Sequence, residues 1–190
     1  MLTVRTEGFN VEQTASITAL TRDVQALAAK ATSNYVDERK RWFGTAAETK
    51  TLVDKLKIMD DYLNKKCSSI TFVKKNIGHK VDSVAVQSND YGQVIPNVGY
   101  TTANFKATEW HVSGGLRVYA MNEYFNAEAN GNREELINYV YHEICHKVLD
   151  TKDYCYGPKS CKALAIQSPD TAVKNADNYG YFIAAVDAKG

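Results

Sequence analysis

Two histidines four residues apart, with a glutamate directly after the first, stand at His142-Glu143-Ile144-Cys145-His146. In a helix, residues at this spacing share a face one turn apart, so both imidazoles can direct a nitrogen at one cation. Glu143 then lies beside the metal. From there it can hold a metal-activated water, take its proton as it attacks a peptide carbonyl and pass that proton to the leaving amine. The run therefore points to a peptide hydrolase carrying one zinc ion per chain, with His142 and His146 as ligands and Glu143 as general base.

A catalytic zinc takes three protein ligands and keeps one position for water. No glutamate or histidine follows His146, which removes the downstream Glu or His that completes many sites of this kind. What remains downstream is Asp150, Asp153, Asp170, Asp177 and Asp187, with the thiols Cys155 and Cys161. Asp150 continues the 142/146 stripe, but three ligands on one straight helix spread over about 12 Å. Zinc–ligand bonds are only about 2 Å long, so the chain must leave the helix and fold back before giving the third ligand. Asp153, seven residues after His146 and ahead of Gly157-Pro158, is the best-placed candidate.

His142-Glu143-x-x-His146 followed by Thr151-Lys152-Asp153-Tyr154-Cys155-Tyr156-Gly157 resembles the aspzincin (deuterolysin-like) metallopeptidases, whose signature couples H-E-x-x-H to G-T-x-D-x-x-Y-G. Ser168 to Asn178 resembles the matching helix of the peptidyl-lysine metalloendopeptidase branch, so the likeness spans roughly the last third of the chain. The resemblance implies that Asp153 is the third zinc ligand and that the Tyr156 phenol donates to the oxyanion formed during attack. It also implies that Asp177 lies in the pocket for the side chain just after the scissile bond, where it would pair with a lysine ammonium. Gly180 stands where that branch carries a second pocket carboxylate, and Asp150 where the family has glycine. Those departures imply a pocket with one negative charge and a differently built turn.

The elements that must position these residues follow from periodicity. Asn132 to Leu149 reads as an amphipathic helix, with Leu136, Tyr139, Val140, Ile144 and Val148 at helical spacing, Asn132 as cap and Glu134 and Glu135 in the first turn. Val11 to about Trp42 reads as one long helix whose buried face is Ile17, Leu20, Val24, Leu27 and Ala28. Thr45-Ala46-Ala47-Glu48 reads as a capping box opening a second helix through Leu52, Leu56, Met59 and Leu63. Between residues 68 and 120 the period shortens, giving strands at Ser69–Val73, Ser83–Gln87 and Leu116–Ala120. The stretch Gly114 to Met121 is the expected edge strand, whose free backbone groups would pair with extended substrate. Pro158 to Gln167 reads as a short helix, and Ser168-Pro169-Asp170 opens a last one carrying Asp177. The expected fold is α+β and zincin-like: one domain over residues 1–190, helical to residue 66, with a small mixed or antiparallel sheet, zinc site and C-terminal helices beyond it.

With 190 residues and a formal net charge of +1, scattered between small basic clusters, the chain offers no electrostatic case for nucleic acid as a partner. No run of eighteen apolar residues exists, which argues against membrane insertion. The first thirty residues lack the apolar core of a signal peptide. The expectation is a chain secreted or delivered outside the producing cell by another route, as an effector or toxin, with a protein or peptide as substrate and an inhibitor or immunity protein as a further partner. Cys67, Cys145, Cys155 and Cys161 permit two disulfides without demanding any. The competing reading is a non-catalytic zinc domain, its metal closed by a fourth protein ligand such as Cys155. His79 and His111 have no ligand spacing around them and read as ordinary histidines.

Overall fold

The structure is a computed structural model that describes residues 2–74, 80–81, 84–85, 92–94, 115–120 and 122–189. His79 and His111, and the ends of the expected 114–121 strand, lie outside them.

Helix α1 (Val11–Ala31) starts on a capping box that Asn10 makes with Gln13, and it buries the stripe Ile17, Leu20, Val24, Leu27, Ala28 and Ala31. The single helix expected through Trp42 is broken after Ala31. Thr32 and Ser33 return their N–H groups to the last carbonyls of α1, and the Thr32 hydroxyl also bonds Ala29 O at 2.8 Å. Such side chains compete with the helical ladder, so the chain restarts as α2 (Val36–Phe43). Gly44, at φ +56°, ends α2 where an added Cβ would lie 2.0 Å from Ala165 O. The capping box expected at Thr45 instead forms a 3₁₀ turn, Gly44–Glu48, and Thr49 caps α3 (Lys50–Asp61) through its Oγ1 and Leu52 N. Leu52, Leu56 and Met59 are buried as the spacing requires.

Strand β1 (Thr3–Glu7), in a stretch that sequence periodicity leaves without an element, opens a four-stranded sheet ordered β1-β2-β6-β5, with β2 (Ser69–Lys74), β5 (Gly92–Val94) and β6 (Leu116–Ala120). The first sixty-six residues are therefore not purely helical. β1, β2 and β6 run parallel and β5 antiparallel, with Val4 beside Ile70, Ile70 beside Leu116, and Val94 beside Val118. Ser69 to Val73 are all buried, as expected for a strand covered on both faces. A separate pair, β3 (Lys80–Val81) and β4 (Val84–Ala85), is antiparallel. The strand expected at the sheet edge, β6, is paired on both sides, because β2 and β5 flank it; among the described strands the edge beside it is β5.

Beyond the sheet come α4 (Asn122–Ala129), α5 (Arg133–Val148), α6 (Pro158–Gln167), the short α7 (Pro169–Ala172) and α8 (Ala176–Asp187). The last helix expected from Ser168 is thus split: turns at Val173 to Asn175 end α7 and start α8 afresh. α8 is buried from Ala176 to Ala184, and its largest contact is with α5. A helix apolar nearly all round belongs in the centre of a fold. The architecture is α+β, as expected, and among the described residues no helix is long and apolar enough to cross a membrane.

Candidate active site

α5 carries His142, Glu143 and His146, and it forms where the sequence places it. Asn132 Oδ1 accepts from Glu135 N at 3.3 Å, and Glu134 and Glu135 favour the positive end of the helix dipole. Residues 137–145 are buried throughout, so His142 and Glu143 sit on a helix fixed from several directions.

The fold-back that geometry demands happens at Asp150, whose φ is +53°. It is the residue just past the Leu149 C-cap, where a left-handed conformation commonly turns the chain off a helix and glycine is the usual occupant. Aspartate is one of the few other residues tolerated there. The chain then runs beside the start of α8. Lys152 N donates to Lys174 O at 2.8 Å and Ala176 N to Lys152 O at 3.0 Å.

Asn175 holds the rest of the segment. Its Oδ1 accepts from Tyr154 N at 2.7 Å and Cys155 N at 3.2 Å, and its Nδ2 donates to Cys155 O at 3.2 Å. Nothing in its spacing marked Asn175; the signal available was an asparagine, a favoured cap residue, directly before a helix.

This path brings Asp153 Oδ1 to 3.3 Å from His142 Nε2 and 3.2 Å from His146 Nε2, while the two Nε2 atoms are 3.0 Å apart. Zinc at the usual bond lengths and tetrahedral angles would set its ligand atoms about 3.3 Å from one another. The grouping of three possible ligands is His142, His146 and Asp153, and among the described residues neither Cys155 nor Cys161 belongs to it.

The far ring nitrogens fit the same picture. His142 Nδ1 is 2.7 Å from Asp177 Oδ1, and His146 Nδ1 is 3.0 Å from Thr151 O. A ring nitrogen facing a carboxylate or carbonyl carries the proton, so both Nε2 atoms present lone pairs to the shared space. Three electron-rich atoms so close together repel unless a cation lies among them. Burial alone would push His142 toward its neutral form, yet the carboxylates of Asp153 and Asp177 outweigh it and hold the imidazole well above its ordinary pKa. Burial likewise opposes ionisation of Asp153, but with no cation between them the two imidazoles, once protonated, hold its carboxyl well below the usual carboxylate range. Both directions express a demand for positive charge at that point. The donor set, two imidazoles and one carboxylate, suits zinc.

Glu143 is buried, with Oε1 3.8 Å from His142 Nε2, which puts its carboxylate beside the ligand cluster and outside it. Tyr156 is half exposed, its ring nearly parallel to that of His142 with centroids 6.2 Å apart. Asp177, which the resemblance sets in a substrate pocket, is turned inward and only 1 % exposed. Its Oδ1 faces His142 and, at 3.3 Å, Asn138 Nδ2, and its Oδ2 accepts from Gly157 N at 2.8 Å. Gly180, which stands where the resembling branch carries a second pocket carboxylate, faces α5: a Cβ there would lie 1.7 Å from Asn138 Oδ1. Asn138 thus fills the space beside Asp177, a role that sequence spacing did not single out.

Comparison with known proteins bears on the family and the fold. The profile of the aspzincin family, described as lysine-specific metallo-endopeptidase, matches residues 26–184. A peptidyl-Lys metalloendopeptidase of Grifola frondosa is 40% identical over 67 residues, 34% of this chain and 19% of that protein. Its counterpart in Armillaria mellea is 47% identical over 45 residues, 23% of this chain and 13% of the relative. The matched segments thus span about a fifth or less of those two relatives. A solved zinc peptidase from Grifola frondosa shares the fold, with a TM-score of 0.63 at 20% identity over 95% of this chain and 99% of that one. The family profile covers most of the chain and includes every residue of the His142–His146–Asp153 grouping, and the chain belongs to the aspzincin family of lysine-specific metallo-endopeptidases.

Proposed function

We propose that this protein is a zinc-dependent endopeptidase in which His142, His146 and Asp153 hold the metal, Glu143 is the general base and Tyr156 donates to the developing oxyanion. The observation that carries the reading is the convergence of three ligand atoms whose imidazoles are each backed by an acceptor at Nδ1. Three protein ligands leave a coordination position for chemistry, whereas a structural zinc is closed by four. The non-catalytic alternative required a fourth ligand such as Cys155, and its sulfur instead lies 3.6 Å from Cys161 Sγ.

Zinc bound here would polarise a water and the scissile carbonyl. Glu143 takes the proton of the attacking water and returns it to the departing amine. Its burial keeps it anchored on α5, one residue from His142. Tyr156, on the segment that follows Asp153, offers its phenol from the open side. The strand β5, paired with β6 alone among the described strands, offers backbone groups to an extended peptide.

A preference for lysine rests on the family description and on the names of the relatives, and its place just after the scissile bond on the resemblance of Ser168 to Asn178. Action outside the producing cell, as an effector or toxin restrained by an inhibitor protein, completes the proposal. Recovery of the chain from culture medium, and of a complex on co-expression, are the measurements that decide those two points.

The central test is to map cleavages in a denatured proteome with wild type and Glu143→Gln. Glu143→Gln is expected to keep stoichiometric zinc and lose at least about a hundredfold in kcat. Cleavage undiminished in that variant would defeat the mechanism, and a broad set of residues after the cut would defeat the lysine preference.

A further inference from the structure

Cys155 and Cys161 play no part in the chemistry above, yet their sulfur atoms lie 3.6 Å apart, at the two ends of the turn that holds Tyr156 and Gly157. Cys155 is partly exposed; Cys161, in the first turn of α6, is fully buried. The same side chain serves both: Asn175 Nδ2 lies 3.5 Å from Cys155 Sγ and 3.6 Å from Cys161 Sγ. That amide also fixes the backbone of residues 154 and 155, so the two sulfurs are held facing each other by an anchor built on α8. A disulfide needs its sulfurs about 2 Å apart, and rotation of the partly exposed Cys155 side chain toward Cys161 would shorten the 3.6 Å separation.

We propose that Cys155 and Cys161 are a redox-modification site: they close to a disulfide that clamps the segment from Asp153 to Gly157, and reduction releases it. The oxidant is a small disulfide of the glutathione type. The sulfur of Cys155, the accessible one, attacks one sulfur of the oxidant, breaking its S–S bond and expelling one thiol. Cys161 then attacks the Cys155 sulfur of that mixed disulfide, forming the internal bond and expelling the second thiol. Two cysteine thiols are oxidised by two electrons and one small disulfide is reduced to two thiols, so protons and sulfurs balance. Because the ring runs from residue 155 to 161, it bounds the motion of Tyr156 directly and of Asp153 two residues away. The consequence for metal retention rests on the zinc reading above; the bond and the clamp do not.

The test equilibrates the whole chain with oxidised or reduced glutathione, alkylates free thiols and maps peptides, using Cys155→Ser and Cys161→Ser as controls. Oxidation is expected to protect Cys155 and Cys161 together from alkylation and to link their peptides, with Cys67 and Cys145 unlinked. Hydrogen exchange on the metal-free protein is expected to slow for residues 152–157 on oxidation in wild type and not in either variant. With zinc loaded, its loss to a chelator is expected to be about tenfold slower when oxidised, since the bond removes conformations of the opened segment. Both thiols still alkylatable after excess oxidant would overturn the site, and unchanged exchange with the bond in place would overturn the clamp. Failure of the reduced wild type to bind zinc at all would instead count against the zinc reading, leaving the exchange result to judge the clamp.

Discussion

Asp177 Oδ1 lies 2.7 Å from His142 Nδ1, while the other oxygen of the same carboxylate accepts the Gly157 N–H at 2.8 Å. One side chain on α8 therefore orients the His142 imidazole on α5 and fixes the turn just beyond Asp153. A carboxylate behind a ligand histidine sets its tautomer and raises its basicity.

Asp177→Asn keeps the shape but removes the charge. Its zinc affinity is expected to fall about 10- to 100-fold, read by competition against a chromogenic chelator. Affinity equal to wild type, with selectivity for lysine lost, would move Asp177 from orienting His142 to binding substrate.

Asp150 adopts a left-handed backbone at φ +53° and is exposed, with the Lys152 ammonium 3.3 Å from its Oδ1. Such a surface pair contributes little. Asp150→Gly relieves the backbone strain at some cost in unfolded-chain entropy, for a net gain of about 0.5 kcal/mol. The urea midpoint of the zinc-loaded protein should rise; a lower one would show that the Asp150–Lys152 pair outweighs the strain.

Gly180→Ala places a methyl 1.7 Å from Asn138 Oδ1 and 2.9 Å from Asn138 O. The amide can swing away, but the backbone carbonyl belongs to α5 and cannot. A loss of about 2 kcal/mol is expected from forcing the helices apart. In an Asn138→Ala background the cost should shrink, because only the carbonyl overlap remains. Equal losses in both backgrounds would mean that the side chain of Asn138 is not what occupies the space.

Zinc removal should destabilise the fold as well as silence it, since the metal binds the native grouping and not the scattered ligands of the unfolded chain. A chelator is expected to lower Tm by roughly 10 °C when the metal was present at about a thousandfold over its Kd. Stoichiometric zinc should restore it, and His146→Ala should abolish the difference. A Tm indifferent to chelator would contradict metal binding at His142, His146 and Asp153.

Some elements were legible because their determinants are local. The stripe Ile17 to Ala28, the cap at Asn132, the strand Leu116–Ala120 and the proline-started helix at Pro158 all appear where spacing and end signals place them. The break at Thr32, the shift of a cap from Thr45 to Thr49 and the split before α8 were not, since each depends on weak local preferences decided by what packs beside them. β6 reads as a strand from its own residues, but nothing in those residues says that β5 flanks it.

The candidate site divides along the same line. His142 and His146 share a face because a helix repeats every 3.6 residues, so the sequence alone determined that two imidazoles and a neighbouring carboxylate meet; the lack of any later Glu or His narrowed the candidates for a third ligand to aspartates and thiols, and the rise of the helix required the chain to turn back to supply one. Only the tertiary structure decided what stands behind them. Thr151 O, Asp177 and the Asn175 anchor reach the site through a left-handed residue and a helix packed across α5, and Asn138 fills the space at Gly180 because two backbones approach closely there. Contacts between residues 35 or more positions apart are set by how helices pack, and side-chain spacing along the chain carries no record of that.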